Sequence, residues 1–182
     1  MGWTIYGYLV QFVFWIPLTI LFLRIALPLV RAPFSDPLVG WVYSVTNPLL
    51  RPLERYIPRW RNFSIAAALL LWLVATLEFV FLLRFNGNPG FWPVGGLLNA
   101  IGFATGFLIA LIILSALFTL FQPRAGSSFV FLTDRLASPL VRRVRRYLPP
   151  VGPFDLSPAV AVLLLLILRL LLAWLVFQIS GF

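Results

Sequence analysis

The stretch NPLLRPLERYIP, residues 47–58, recurs 91 residues later as SPLVRRVRRYLP, residues 138–149. Proline and arginine fall into register between the two copies, as in Pro48 with Pro139 and Arg51 with Arg142. Each copy lies between two long apolar runs. An offset shared by several residue types indicates an internal repeat, whose two copies have the same orientation in the fold.

The apolar runs around the two copies are long enough to cross a membrane. Of the 182 residues, 62% are hydrophobic and 10% are charged, and apolar runs above about 18 residues are typical of membrane-spanning helices. Spans are predicted at 5–30, 63–83, 94–121 and 156–179. The first repeat then covers 1–90 and the second 91–182. The predicted fold class is an all-α membrane protein with four transmembrane helices in two parallel tandem repeats.

The arginines are distributed unequally, and this predicts the orientation. The first and third connections between spans contain five and six arginines, whereas the second contains only Arg84. Because basic residues are retained on the cytoplasmic side, the first and third connections are predicted to face the cytoplasm. Both termini then lie on the opposite side.

An amphipathic interfacial helix is predicted in each basic connection, over 37–58 and 128–149. Asn47 and Ser138, each followed by proline, have the residue types of a helix start. Apolar residues fall on one face and arginines on the other, as in helices that lie in the headgroup layer. Anionic lipid or a cytoplasmic protein is the expected partner, and direct contact with nucleic acid is not expected. The predicted contact residues are Arg51, Arg55, Arg142, Arg143, Arg145 and Arg146.

Three charged residues fall within the predicted spans, and each needs a partner. A charge at the bilayer centre costs about 2.5–3.5 kcal/mol on insertion scales. Glu78 and Arg169 are 91 residues apart, so the repeat places them at equal depth and an ion pair between them is predicted. Arg24 is expected to extend to the lipid phosphates at the near membrane surface.

Small and capping residues predict details of the helix bundle. Gly102 and Gly106 form a GxxxG motif, which favours close helix packing within the chain or in a homo-oligomer. Asp155 or Ser157 is predicted to cap the last span, with Pro158 in its first turn.

The residue types that are absent exclude several kinds of chemistry. The sequence has no Cys and no His, which excludes disulfides, thiolate nucleophiles, imidazole bases and nearly every transition-metal site. The five acidic residues are scattered. No cofactor, metal or catalytic residue is predicted. Asp155 and Ser157 could be assigned an enzymatic role, but helix capping explains their presence more simply.

The segments FLRI (22–25), PFSDPLVGWVYSVTNPLLRPLERYIP (33–58) and LASPLVRRVRRYLPPVGPFDLSP (136–158) resemble the YggT family of bacterial inner-membrane proteins, whose plastid relatives are called YlmG. This resemblance covers both halves and implies four spans in two repeats. It also implies a role in osmotic tolerance, with cation uptake as one route, or a link to division or nucleoid distribution. No catalytic residues come with it. The first copy lacks the Asp-x-Ser-Pro tail, so any role of that tail applies to the second repeat alone.

Two functions from different classes remain open. The first is a non-enzymatic adaptor or envelope-organising protein that uses its arginine-rich helices. The second is a small potassium transporter or channel component, oligomeric through Gly102 and Gly106, although polar residues at mid-depth are sparse. A hydrated cavity that reaches Glu78 would favour the second function.

Overall fold

The computed structural model describes residues 2–57, 62–86, 88–121, 127–148 and 155–180. These residues form six α-helices, with a short 3-10 turn (Pro89–Phe91) before the fourth: α1 (Gly2–Leu29), α2 (Pro37–Tyr56), α3 (Ile65–Leu82), α4 (Trp92–Phe121), α5 (Ser128–Arg145) and α6 (Ser157–Ser180). Four of them, α1, α3, α4 and α6, are long and apolar enough to cross a membrane. The fold is therefore the predicted all-α membrane protein, with α1–α3 and α4–α6 as its two repeats.

The segments of the long helices are apolar throughout. They form helices because a helix satisfies its own backbone hydrogen bonds, as a lipid environment requires. The third helix, α3, begins after Ser64, whose hydroxyl accepts the N–H of Ala67 at 3.3 Å. This cap satisfies one of the N–H groups that a helix start leaves without an intrahelical partner.

The four long helices are arranged in the order α1, α3, α4, α6. Both α3 and α6 pack on α4, and α1 packs on α3, whereas α6 has no extended contact with α1. The main interface between the repeats is therefore α3–α4. Its close approach occurs at Gly95 and Gly96, because a Cβ atom there would overlap Phe79 and Thr76 of α3.

The two connecting helices, α2 and α5, lie together at one end of the bundle, which we call the basic end. They pack there against Leu27 near the end of α1 and against Leu111 of α4. Each buries one face, whose members are Val39, Val42, Thr46 and Leu50 on α2 and Leu132, Thr133, Leu136 and Ala137 on α5. Three further apolar side chains of α2, those of Leu38, Trp41 and Val45, are exposed.

Both connecting helices begin where the predicted segments do, at 37 and 128, ten residues before the predicted caps at Asn47 and Ser138, so the prediction of these two caps is wrong. The actual caps are Asp36, which accepts the N–H of Leu38 at 2.9 Å, and Ser127, which accepts the N–H of Val130 at 3.2 Å. The predicted segment ends at 58 and 149 lie outside the described residues.

A proline inside each helix misled the prediction. In α5, Pro139 cannot donate to the carbonyl of Arg135, one turn earlier. The hydroxyl of Ser138 donates to that carbonyl at 3.3 Å instead. The neighbouring side chain therefore satisfies the acceptor that proline leaves free, and the helix continues through it.

Candidate functional site

The predicted lipid-contacting arginines are all exposed at the basic end. Arg51 and Arg55 belong to α2, and Arg142, Arg143 and Arg145 to α5, with Arg146 directly after it. In the described part of the chain, five of them have no carboxylate within 4 Å, and one of these five, Arg142, donates to Ser138. We call the other four the arginine surface: Arg51, Arg55, Arg143 and Arg146.

Behind this surface, the first repeat contains a buried polar cluster around Arg24 of α1, which is only 2% exposed. Its guanidinium Nη2 lies 3.7 Å from Oε1 of Glu54 in α2, and its Cζ lies 3.6 Å from the centre of the Tyr43 ring. Glu54 also accepts the hydroxyl of Ser64 at 3.1 Å. The expectation that Arg24 extends to lipid phosphates is therefore wrong, because Glu54 pairs with it inside the repeat.

The corresponding positions of the second repeat, 91 residues further on, are Ser115, Asp134, Arg145 and Asp155. Ser115 donates to Asp134 at 3.0 Å, and Arg145 forms an ion pair with Asp155. Asp155 also accepts the N–H of Ser157 at 2.9 Å, so it caps the start of α6. Hydrogen bonds from the hydroxyl and the N–H of Ser157, aided by Arg145, hold the pKa of Asp155 below its usual value.

A cavity opens at each of these clusters. The cavity of the first repeat has a volume of about 380 Å³, and Arg24, Tyr43 and Ser64 line it. The cavity of the second repeat has a volume of about 580 Å³, and its polar lining residues are Ser115, Thr119, Asp134, Ser138, Arg142, Arg145 and Asp155. The two cavities are at equivalent places, and the larger one has no counterpart of the Arg24 guanidinium.

A further cavity of about 580 Å³ lies among the long helices, and both Glu78 and Arg169 line it. The predicted ion pair between them is not formed. Glu78 instead accepts the side-chain N–H of Asn99 at 2.8 Å, and no cation of the described residues lies within 4 Å of it. Because α4 stands between α3 and α6, Glu78 meets Asn99 of α4, while Arg169 is exposed.

The glycines of the GxxxG motif line the same cavity. Among the described residues, a Cβ atom at Gly102 would have no neighbour within 4 Å, and one at Gly106 would meet only the Arg169 guanidinium, at 3.4 Å. The close packing predicted there is not formed within the chain. Gly95 and Gly96 provide the close approach instead.

A family model described as CCB3/YggT matches residues 3–85 and again 94–176. The chain belongs to this family. The two matched segments begin 91 residues apart, which is the offset of the repeat.

The chain is 31% identical over 157 residues to the "uncharacterized protein in proC 3′region" of Vibrio alginolyticus, covering 83% of this chain and 84% of that protein. It is 30% identical over 152 residues to the uncharacterized protein YggT of Escherichia coli K12, covering 83% and 80%. An uncharacterized protein of Pseudomonas aeruginosa is 31% identical over 164 residues, covering 85% and 81%. No solved structure matches the chain.

In this CCB3/YggT protein, sequence reasoning missed residues that the repeat itself could have indicated. The offset of 91 aligns Glu54 with Arg145 and Tyr43 with Asp134. The two repeats therefore differ in charge at two matched positions of their connecting helices. Asn99 carried no such signal, because only the order of the long helices brings it to the carboxylate of Glu78.

Proposed function

We propose that the protein is a non-enzymatic protein of the bacterial inner membrane, whose basic end faces the cytoplasm and whose arginine surface binds the headgroups of anionic lipids. Both termini then lie in the periplasm, as the concentration of arginine at one end of the bundle supports. In this role the protein is an adaptor or envelope-organising factor, and the family resemblance links that role to osmotic tolerance or division.

The proposal rests on one observation, the four exposed guanidinium groups of the arginine surface. They lack a carboxylate within 4 Å in the described chain, and the opposite faces of their helices are packed on the long helices. A guanidinium near an anionic membrane surface contributes about 1 kcal/mol to binding, and its fork of N–H donors matches phosphate. In a membrane-spanning bundle, the end at which these arginines lie is next to lipid headgroups.

The test is lipid retention by the purified, delipidated protein in detergent. Phosphatidylglycerol and phosphatidylcholine are titrated separately, and the bound lipids are counted by native mass spectrometry. The test variant replaces Arg51, Arg55, Arg143 and Arg146 with Gln, and the matched control is Arg84→Gln at the other end of the bundle.

The wild type and the control are expected to prefer phosphatidylglycerol, with a preference that weakens as salt increases. The four-arginine variant is expected to lose it. If the folded variant keeps the preference, the arginine surface is not the lipid site. If the folded wild type shows no preference, lipid binding is refuted and a cytoplasmic protein becomes the partner to seek.

A second candidate function, cation conduction, is favoured by the cavity that reaches Glu78. Gln11 and Asn99 also line it, so polar groups extend into the level of the spans. The exposed guanidinium of Arg169 lines the same cavity and opposes a cation there. Potassium flux into proteoliposomes, with Glu78→Gln as the variant, tests this function. Flux that the substitution abolishes would support conduction. If the folded protein gives no flux, conduction is refuted and lipid binding is the remaining proposal.

A further inference from the structure

The two repeats differ in how they bind a cation at the basic end. In the first repeat, the Tyr43 ring lies under the guanidinium of Arg24, at 3.6 Å. In the second repeat, Asp134 takes the position of Tyr43, and Ser115 takes the position of Arg24. A ring face and a carboxylate both bind cations. A side chain that can bind a cation is therefore present in both repeats, as Tyr43 or Asp134, whereas the guanidinium bound to it is present only in the first repeat, at Arg24.

The carboxylate of Asp134 is open to the cavity of the second repeat. Asp134 is exposed, and the hydroxyl of Ser115 donates to its Oδ1 at 3.0 Å. Within the described residues, no arginine lies within 4 Å of it. Because an ionised carboxylate has about four acceptor positions, Asp134 keeps acceptor capacity for a donor that enters the cavity.

The same cavity contains a guanidinium available to an anion. The side chain of Arg142 turns back along α5, so that its Nη2 donates to Oγ of Ser138 at 2.8 Å. Ser138 is four residues, about 6 Å, after Asp134 along the helix. In the described chain no carboxylate lies within 4 Å of Arg142, whereas Arg145 is already paired with Asp155.

We infer that this cavity binds the headgroup of an aminophospholipid, in which an ethylene unit links a primary ammonium to a phosphodiester. The ammonium donates to Asp134, and the phosphodiester accepts from Arg142. One such zwitterion neutralises both side chains, and its short link suits a carboxylate at Asp134 and a guanidinium held one turn further on, at Ser138.

The size of the cavity fits a headgroup, and its apolar walls favour a lipid over a soluble molecule. Its volume of about 580 Å³ is within the usual range of small-molecule sites, about 300–1,000 Å³. Its apolar walls include Ile112 and Ala116 of α4 and Val141 of α5. The α4 residues belong to a helix long enough to cross a membrane, so acyl chains can extend along it while the headgroup fills the polar part.

The test is a titration of the delipidated protein with short-chain phosphatidylethanolamine and phosphatidylcholine, again followed by native mass spectrometry. The trimethylammonium of phosphatidylcholine has no N–H to donate to Asp134. We therefore expect the wild type to prefer phosphatidylethanolamine on the order of tenfold, the size of one charge-assisted hydrogen bond.

Two substitutions probe the cation site from opposite directions. Asp134→Asn keeps the size of the side chain and is expected to abolish the preference by removing the charge. Ser115→Arg restores the arrangement of the first repeat, so its guanidinium should pair with Asp134 and exclude the ammonium. The four-arginine variant leaves Arg142 and Asp134 in place and is expected to keep the preference, which separates this site from the arginine surface.

The inference is overturned if the folded wild type binds the two lipids equally, or if either substitution leaves the preference unchanged. Soluble glycerophosphoethanolamine provides the remaining arm. If it binds as tightly as the lipid, the site recognises the headgroup alone and the assignment to a membrane lipid is wrong.

Discussion

Replacement of Glu54 with Gln is expected to destabilise the protein strongly, because Glu54 pairs with a buried arginine. Glu54 is the carboxylate nearest to Arg24, whose side chain is 3% exposed. A Gln at this position keeps an acceptor for Ser64 and for Arg24 but removes the negative charge. The guanidinium of Arg24 would then remain buried with a neutral partner.

The magnitude follows from the burial of the pair. Removing one partner of a buried ion pair costs about 3–5 kcal/mol, because the other charge stays buried. Glu54 is 14% exposed, so some water reaches it, and the Tyr43 ring still faces the guanidinium. We therefore expect the free energy of unfolding to fall by about 2–3 kcal/mol. The equivalent pair of the second repeat, Arg145 with Asp155, is 51% and 27% exposed, and Arg145→Gln should cost less than about 1 kcal/mol.

The assay is unfolding by SDS in mixed micelles, followed by far-UV circular dichroism, for both substitutions. A double-mutant cycle with Arg24→Gln isolates the interaction and is expected to give a coupling free energy of about 1–3 kcal/mol. The reasoning is refuted if Glu54→Gln stays within about 0.5 kcal/mol of the wild type, or if Arg145→Gln is as destabilising as Glu54→Gln.

Three further outcomes are expected. Gly96→Ala should lower the free energy of unfolding by about 1–3 kcal/mol through overpacking against α3, whereas Gly102→Ala should be neutral or slightly stabilising, as the same SDS titration would show. Because the pKa of Asp155 is lowered in the folded protein, its contribution is full above the ordinary carboxyl pKa and is lost as the pH falls below about 4. Asp155→Asn should therefore flatten the acid limb of the stability profile; an unchanged limb would contradict this. Alkaline phosphatase, which is active only in the periplasm, should be active when fused at the C-terminus and inactive when inserted at 122–126, and the reverse pattern would refute the orientation.

The long helices were predictable because span length is set by a single physical quantity, the thickness of the hydrocarbon. The predicted spans at 63–83 and 94–121 correspond to Ile65–Leu82 and Trp92–Phe121. The cap of α5 was not predictable in the same way. Pro139 has the local signature of a helix start, and only the side chain of Ser138 makes it acceptable inside a helix.

The exposure of the basic residues could also be predicted, but their partners could not. Arginine on the polar face of an amphipathic pattern is exposed whatever its neighbours are. Which of them pairs with a carboxylate depends on tertiary position: Arg145 meets Asp155 where α5 ends and α6 begins. Arg24 has the sequence pattern of a lipid-facing arginine, and only the packing of α2 on α1 brings Glu54 to it.

The repeat predicted equal depth for Glu78 and Arg169, and the reason they do not meet lies in the glycines. Around a closed two-fold axis, the α3–α4 interface would be matched by one between α6 and α1. The α3–α4 approach needs Gly95 and Gly96, but the position of α1 that matches Gly96 is Ile5, which is 60% exposed. A branched side chain there is too large for such a close approach. Among the described residues, α6 has no extended contact with α1, and the cavity lined by Glu78 and Arg169 lies between them. A duplicated sequence thus produces two like repeats without a symmetric bundle. Each of the two open cavities, in the spans and at the basic end, lies where a contact made at one position of the repeat is missing at the matching position.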